Sequence, residues 1–292
     1  MKKDLRQLSQ EEFPPLLREI PDPPKKLYLR GALPSSSFKL LTVVGSRKYT
    51  PYGKAVVEML ISGLRGFPVA IVSGLALGID ALAHEAALAA KLPTIALPGS
   101  GLNPDVLYPR AHYRLAERIL EARLPDGQQG GALLSEFEPD FRARPESFLQ
   151  RNRVMAAVAE ATLIIEAASR SGTLVTAKLA VDYNRELLVV PGSIFSPNSF
   201  GPHLFLSLGA TPVTSSEDIL KALHIEPAPK PIAERTDLSE AERRVLRALV
   251  EPRTRDELLA SLALPASEAN ILLSTMELKG LIAARLGTIE RA

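Results

Sequence analysis

Small, hydroxyl-bearing and cationic residues follow directly after several apolar runs of this chain. In the first case, residues 45–47 read Gly-Ser-Arg and come directly after the apolar run at residues 40–44. The glycine allows a tight turn, and the hydroxyl and the guanidinium can bind an anion. If a helix follows, its N-terminal N–H groups point to the same place. This combination is typical of a site for phosphate or for a nucleic-acid backbone.

Three further segments carry the same chemistry. Ser-Gly at 73–74 ends a second apolar run, Arg-Asn-Arg at 151–153 opens a helical segment, and Arg-Ser-Gly-Thr at 170–173 precedes another. Each one alone could be an ordinary helix cap with a solvated cation, but their repetition at successive strand ends makes coincidence a poor explanation. The sequence therefore predicts one anion site built from Gly45, Ser46, Arg47, Ser73, Gly74, Arg151, Asn152, Arg153, Arg170, Ser171, Gly172, Thr173 and Lys178.

Residue patterns for catalysis are poorly represented. The chain has no cysteine and four histidines, without an HExxH motif, which disfavours thiolate chemistry and metal sites. Asp80 and His84 are four residues apart and could hydrogen-bond on one helix face. Since no GxSxG nucleophile motif accompanies them, capping or packing is the preferred interpretation.

A nicotinamide dinucleotide site is also disfavoured. The second and third glycines of that motif are missing, and Ser73 and Gly74 stand where an acidic residue would bind the ribose. We therefore expect no cofactor, no metal and no catalytic group.

The elements that would position these residues are short aliphatic runs, at residues 40–44, 69–72, 94–97, 163–165 and 187–190, with one further strand at 132–136. They alternate with segments of helical length. Runs of this kind are typical of strands covered on both faces, and the alternation predicts an α/β, Rossmann-like, doubly wound and mostly parallel sheet. Such sheets bind ligands at the carboxyl ends of their strands, where the segments above would meet.

Changes in composition divide the chain into four parts. Prolines predict an irregular lead-in over residues 1–37, followed by the Rossmann-like domain at 38–223. A proline-rich linker is expected at 224–237. Beyond it, capped helix starts and a terminal hairpin predict a small winged-helix-like domain at 238–292.

Charge and hydropathy limit the partners of the protein. The net charge is only +2, so nucleic-acid contacts must come from a local patch. The segment from Thr236 onward carries eight Arg and Lys against nine Asp and Glu, which favours partner binding over reading of a DNA groove by this small domain. No apolar stretch reaches the length of a membrane span and the first residues are polar, so we expect a cytoplasmic protein without membrane contact.

The order of the motifs resembles the DNA-processing protein A family, also called DprA or Smf. The similarity runs from residue 28 to 223 and includes residues 44–47, 73–84, 101–109, 135–137, 151–153, 170–177 and 191–193. The C-terminal segment resembles the winged-helix domain of many members. Two features depart from the family: residues 1–35 cannot supply a full N-terminal helical domain, and the usual FPxRNR stretch begins Phe-Leu-Gln at 148–150.

The resemblance implies a homodimer that binds single-stranded DNA without evident sequence preference and loads the recombinase RecA onto it during natural transformation. Arg47 would contact a phosphate or stack on a base, with Gly45 and Ser46 as donors beside it and the other cations as further phosphate contacts. Since Trp is absent and aromatics are only 5% of the chain, guanidinium stacking and phosphate contacts should dominate.

Two other functions stay open. A nucleotide phosphoribohydrolase could share this fold, although residues 170–173 lack the paired glycines of its PGGxGT loop. A transcriptional regulator that senses a nucleotide is the third class, and preference for duplex DNA would support it.

Overall fold

Short, mostly aliphatic strands build one nine-stranded sheet. The structure, a computed structural model, describes residues 5–226, 238–249, 253–262, 264–285 and 288–291. The chain divides into two units, Met1–Glu226 and Pro227–Ala292. The strands of the first unit are β1 Arg6–Gln7, β2 Tyr28–Gly31, β3 Lys39–Val44, β4 Val69–Ser73, β5 Thr94–Ala96, β6 Gly131–Ser135, β7 Ala161–Ile164, β8 Glu186–Val189 and β9 Thr211–Pro212.

Across the sheet the strands follow the order β1-β2-β6-β5-β4-β3-β7-β8-β9. All pairs from β6 to β9 are parallel, whereas β2 pairs antiparallel with β1 and β6. The chain fills one side of β3 first, then crosses back to place β7 on its other side. The carboxyl ends of β3 and β7 therefore form the topological switch point, where doubly wound sheets bind their ligands. The predicted fold class is confirmed.

Helices cover both faces of this sheet. They are α1 Pro51–Ser62, α2 Ile79–Ala90, α3 Tyr113–Glu121, α4 Pro145–Val158, α5 Thr173–Asp182, α6 Phe200–Ser207 and α7 Ser216–Ala222. Side chains alternate along β3, so that Leu41 and Val43 pack with α1, α2 and α7, while Val44 packs with α4. Both faces of β4, β5, β6 and β7 are buried throughout, which explains their aliphatic runs.

Residues 5–37 belong to the same unit as the sheet, which corrects the boundary expected at residue 38. The prolines do prevent long helices, but the apolar residues between them join the core, and Leu17 and Leu27 are fully buried. The guanidinium of Arg185 donates to the carbonyl oxygen of Leu16 over 2.8 Å, so the segment is fixed to the sheet by polar contacts as well.

The described residues of the second unit form three helices and a three-stranded antiparallel sheet in the order β10-β12-β11. Its elements are α8 Glu240–Ala248, β10 Arg253–Thr254, α9 Arg255–Leu262, α10 Ala266–Leu278, β11 Ile282–Arg285 and β12 Thr288–Arg291. Val245, Leu258 and Leu273 lie in its core. The winged-helix-like prediction is confirmed.

The first three residues of the linker expected at 224–237 belong to the first unit. Ile225 packs against the core of the first unit, so residues 224–226 belong to that unit. Residues 227–237 lie outside the described residues. Among the described helices, no single one is long and apolar enough to cross a membrane, although the bent pair Arg255–Leu262 and Ser267–Leu278 passes on length and composition.

A fragment of residues 1–226 is expected to fold, because it contains the whole of the first unit. A fragment of residues 38–226 should aggregate or lose its cooperative transition, because it lacks Leu17 and Leu27 and exposes the core that they cover. Circular dichroism during heating compares the two fragments. A cooperative transition of 38–226 at the temperature of 1–226 would contradict the assignment of the lead-in to the core.

Candidate nucleic-acid interface

Arg151 lies beneath the carboxyl edge of the sheet instead of on its surface. Its side chain is only 5% exposed, and its guanidinium donates hydrogen bonds to the carbonyl oxygens of Gly74 and Leu97, which follow β4 and β5. Burial lowers the pKa of Arg151 to about 10, an effect that the carboxylate of Asp80 opposes. The prediction that Arg151 contacts DNA is therefore corrected. Its guanidinium is buried beneath the carboxyl edge, where it joins the ends of β4 and β5.

Gly74 lies between the two charged groups of this buried pair. A Cβ at position 74 would collide with the Arg151 guanidinium and would lie 2.6 Å from a carboxylate oxygen of Asp80. That carboxylate accepts hydrogen bonds from the N–H groups of Gly74, at 3.1 Å, and of Ala76, at 3.4 Å. Burial raises the pKa of Asp80, while Arg151 acts in the opposite direction. The glycine thus allows a cation and an anion to approach the same turn.

Asp80 and His84 bind different partners, as the structural interpretation of this pair expected. His84 Nδ1 lies 2.8 Å from the hydroxyl of Thr94, which donates to the carbonyl oxygen of Ile71. Since the Thr94 proton is used in that bond, Nδ1 of His84 must be the donor to Thr94. Burial lowers the pKa of His84 to about 3, so the ring is neutral at neutral pH. This arrangement connects α2 to β5 and β4.

The loop after β3 brings Arg47 to the surface. Gly78, with a φ of +86°, packs on the backbone of Ser46 and Arg47, where a Cβ would collide with the Ser46 carbonyl oxygen. The N–H of Ile79 donates to that oxygen over 3.2 Å. The hydroxyl of Ser46 bonds to the backbone of Lys48 and is nearly buried, so it shapes the loop. Arg47 itself is exposed.

Arg47 is part of a row of three planar side chains. Its guanidinium carbon lies 5.7 Å from the centroid of the Phe148 ring, and this ring lies 5.5 Å from that of Tyr108. Tyr108 is 48% exposed. Phe148 packs against Gly99, where a Cβ would lie 2.5 Å from the ring. The row combines a cation with flat aromatic surfaces, which is how proteins bind single-stranded nucleic acids.

Sequence reasoning missed Phe148 and Tyr108 as members of the site. Tyr108 stood in the segment at 101–109 that carried the family resemblance, and Phe148 opens the stretch at 148–150 that departs from the FPxRNR pattern of the family. The low aromatic content of the whole chain argued against aromatic stacking, but two neighbouring rings, tilted by 51° to each other, offer faces on which a base can stack.

Arg153 is held in ion pairs, and its predicted contact with DNA stays a prediction. Its guanidinium lies 2.5 Å from the carboxylate of Glu136 and 3.7 Å from that of Asp22. Its side chain is mostly buried between them. Two carboxylates neutralise this cation, which attaches α4 to the N-terminal segment.

Two more predicted residues serve the architecture of the edge. The hydroxyl of Ser73 is fully buried and donates to the carbonyl oxygen of Val43 over 2.7 Å, which connects β4 to β3. Asn152 is nearly buried and accepts a hydrogen bond of 3.1 Å from Nε of Arg151. The Ser73 hydroxyl proton and the Asn152 carbonyl oxygen are thus both used inside the protein.

The segment from Arg170 to Thr173 lies between β7 and α5, on the neighbouring strand to the Arg47 loop. The hydroxyl of Ser171 donates to that of Thr173 over 3.0 Å and accepts from the Thr173 N–H over 3.2 Å. Arg170 and Gly172 are exposed, and so is Lys178 on α5. The adjacent carboxyl ends of β3 and β7 therefore each lead to cations open to solvent, which the sequence predicted to converge.

Comparison with known proteins gives the same picture for both units. A family model described as DNA recombination-mediator protein A matches residues 5–224, and one described as DprA winged helix domain matches residues 226–287. Protein Smf of Escherichia coli (strain K12) is 42% identical over 213 residues, which are 73% of this chain and 54% of that protein. This chain thus matches about half the length of that relative. DNA processing protein DprA of Streptococcus pneumoniae is 39% identical over 208 residues, 71% of this chain and 70% of that protein.

Two solved structures resemble the first unit. The X-ray structure of DNA processing protein A from Streptococcus pneumoniae has a TM-score of 0.68 at 37% identity and covers 78% of this chain and 76% of that one. The structure of DNA processing protein A from Helicobacter pylori has a TM-score of 0.64 at 31% identity and covers 75% and 95%. The latter concerns the single-stranded DNA binding mode of the Helicobacter pylori protein.

Replacing Arg151 by alanine is expected to lower the free energy of unfolding by about 3 kcal/mol, because the variant leaves Asp80 and two carbonyl oxygens buried without their cation. Urea denaturation measures the change. Arg142→Ala removes an exposed arginine and should stay within about 0.5 kcal/mol of the wild type. Equal stability of the two variants would show that Arg151 does not hold the edge together.

Proposed function

We propose that this chain, which belongs to the DNA recombination-mediator protein A family, binds single-stranded DNA. The strand would lie along the carboxyl edge of the sheet, with Arg47 at the centre of the site. The observation that carries this proposal is the row formed by the exposed Arg47, the half-buried Phe148 and the half-exposed Tyr108. Since every base has a flat π-face, such a row binds single strands without reading their sequence. The phosphates would then lie along the cations beside it.

Those cations are the predicted residues that remain open to solvent. Arg47 is followed by the exposed Lys48, and Arg170 and Lys178 extend the positive surface from β3 to the adjacent strand β7. Salt should weaken binding steeply, because each phosphate contact with a single strand releases counterions with a slope of about 0.7. Gly45, Ser46, Ser73, Gly74, Arg151 and Asn152 would support this surface from inside, by fixing the loops that carry it.

We propose that the protein acts as a mediator and not as an enzyme. Asp80 and His84 are buried and bonded to the surrounding structure, which leaves them poorly placed to move a proton on a bound strand. The mediator would load RecA onto the bound strand in natural transformation, as the family resemblance implies, and would do so in the cytoplasm. Its action should be stoichiometric with DNA.

A homodimer is the proposed form of the protein. An apolar surface follows β8, where Ile194 and Phe195 lie close to Phe200 and Leu204. Phe195 is 90% exposed, which is unusual for a large aromatic side chain outside an interface. A second copy of the chain would cover this surface through a self-complementary contact, as a two-fold axis requires.

The winged-helix-like unit is proposed to bind a protein partner instead of a DNA groove. Helix α10 exposes Ile271 and Leu278 together with Glu268 and Glu277. The ammonium of Lys279 lies 2.7 Å from the buried carboxylate of Glu242 and is thus already paired. The carboxylates on this helix repel phosphates and its apolar side chains offer them no donor, whereas duplex binding depends on cations.

Arg47→Ala is expected to weaken binding of single-stranded DNA by about 1–3 kcal/mol, through loss of one phosphate or stacking contact. Fluorescence anisotropy with a labelled oligonucleotide over a salt series measures the loss and a shallower salt slope. Arg65→Ala is the matched control, since that guanidinium donates to the carbonyl oxygen of Ala89, away from the carboxyl edge. Wild-type affinity of a folded Arg47→Ala variant would remove Arg47 from the site.

Mediator activity is expected to appear as faster RecA filament formation on strands coated by single-strand-binding protein. A cognate RecA is assayed with the wild type and with Arg47→Ala, which should lose the acceleration together with DNA affinity.

In parallel, nucleoside monophosphates are incubated with the protein and free base is measured. Release of base without any effect on RecA would replace the mediator by a phosphoribohydrolase, and preference for duplex DNA would favour a regulator.

A further inference from the structure

Glu166 places a carboxylate at the switch point of the sheet. It follows β7, its side chain is only 4% exposed, and its oxygens accept hydrogen bonds from the Thr50 N–H, at 2.9 Å, and from the Thr50 hydroxyl, at 2.5 Å. Thr50 is the N-cap of α1, the helix that follows β3. The carboxylate therefore lies against the N-terminal end of that helix.

The space around this carboxylate is filled. A Cβ at Gly53, in the first turn of α1, would lie 2.6 Å from Oε2 of Glu166. The side-chain amide of Asn198 lies 3.4 Å from the same oxygen and donates to the carbonyl oxygen of Lys48 over 2.9 Å. Loops that follow β3, β7 and β8 thus meet at one buried negative charge.

This position is where a doubly wound sheet offers a phosphate site. A phosphate group binds outside the carboxyl ends of the strands at the switch point, against a helix N-terminus whose N–H groups and dipole favour an anion. Here the chain supplies that anion itself. A free phosphate would meet both an occupied volume and a like charge, and each opposes its binding.

We propose that Glu166 is a specificity-determining residue: it takes the place of a bound phosphate at the N-terminus of α1 and thereby excludes inorganic phosphate and mononucleotides from the switch point. The cations of the same loop, Arg47 and Lys48, are consequently left to bind anions on the outer surface. This inference concerns small anions and holds whether or not the protein binds single-stranded DNA.

The test compares phosphate binding by the full-length wild type and three variants, using isothermal titration calorimetry and thermal shift with inorganic phosphate and adenosine monophosphate. Glu166→Ala opens the site and should bind phosphate about tenfold more tightly than the wild type. Glu166→Gln removes the charge but keeps the volume, and should gain much less. Glu160→Gln removes a carboxylate that accepts from the Leu40 N–H at the opposite edge, and should behave as the wild type.

A double variant locates the gained site. Thr50→Val in the Glu166→Ala background removes the hydroxyl donor and should reduce the gained affinity, whereas binding at another surface would not respond.

A folded Glu166→Ala variant with wild-type phosphate affinity would overturn the proposal. If Glu166→Ala and Glu166→Ser fold only in phosphate buffer, the anion has replaced the carboxylate, as proposed. If neither folds in any buffer, Glu166 is a purely structural residue and the proposal is overturned. Because no arm uses DNA, this outcome is independent of the single-strand binding function.

Discussion

A guanidinium that does not reach solvent holds the carboxyl edge of this sheet in shape. Arg151 connects the ends of β4 and β5 through the carbonyl oxygens of Gly74 and Leu97. It is carried by α4, the helix that also carries Phe148 one turn earlier, so fixing Arg151 also fixes the ring that lies beneath Arg47. A buried charge thereby sets the position of an exposed one. The cost of burying it is offset by the hydrogen bonds and by Asp80 nearby.

Internal carboxylates complete this arrangement at two helix N-termini. Asp80 binds the N–H groups of the turn before α2, and Glu166 binds the cap of α1. Each satisfies backbone donors that would otherwise attract an external anion. The polar groups of the edge thus fall into an inner layer, in which charged groups are hydrogen-bonded inside the protein, and an outer layer of open cations such as Arg47 and Arg170.

The central strands and the doubly wound fold class were accessible from the sequence, because strands buried on both faces leave unbroken aliphatic runs. The division into inner and outer residues was not. Arg47, Arg151 and Arg153 look alike in a one-dimensional pattern, and only tertiary packing leaves the first exposed and buries or pairs the other two. The importance of Glu166 depends on Thr50, 116 residues earlier. The N-terminal strand β2 was hard to recognise as part of the sheet, since its partner β6 lies a hundred residues away and pairs antiparallel.

The aromatic row also has an optical consequence. The chain contains six tyrosines and no tryptophan, so its intrinsic ultraviolet emission comes from tyrosine alone and is not masked by energy transfer to an indole. Tyr108 stands half exposed beside Phe148, whereas Tyr28 is buried and donates its hydroxyl proton to Glu138. A nucleobase stacked on this row would quench the emission of one tyrosine in particular. The unlabelled protein therefore carries its own reporter of what occupies the carboxyl edge.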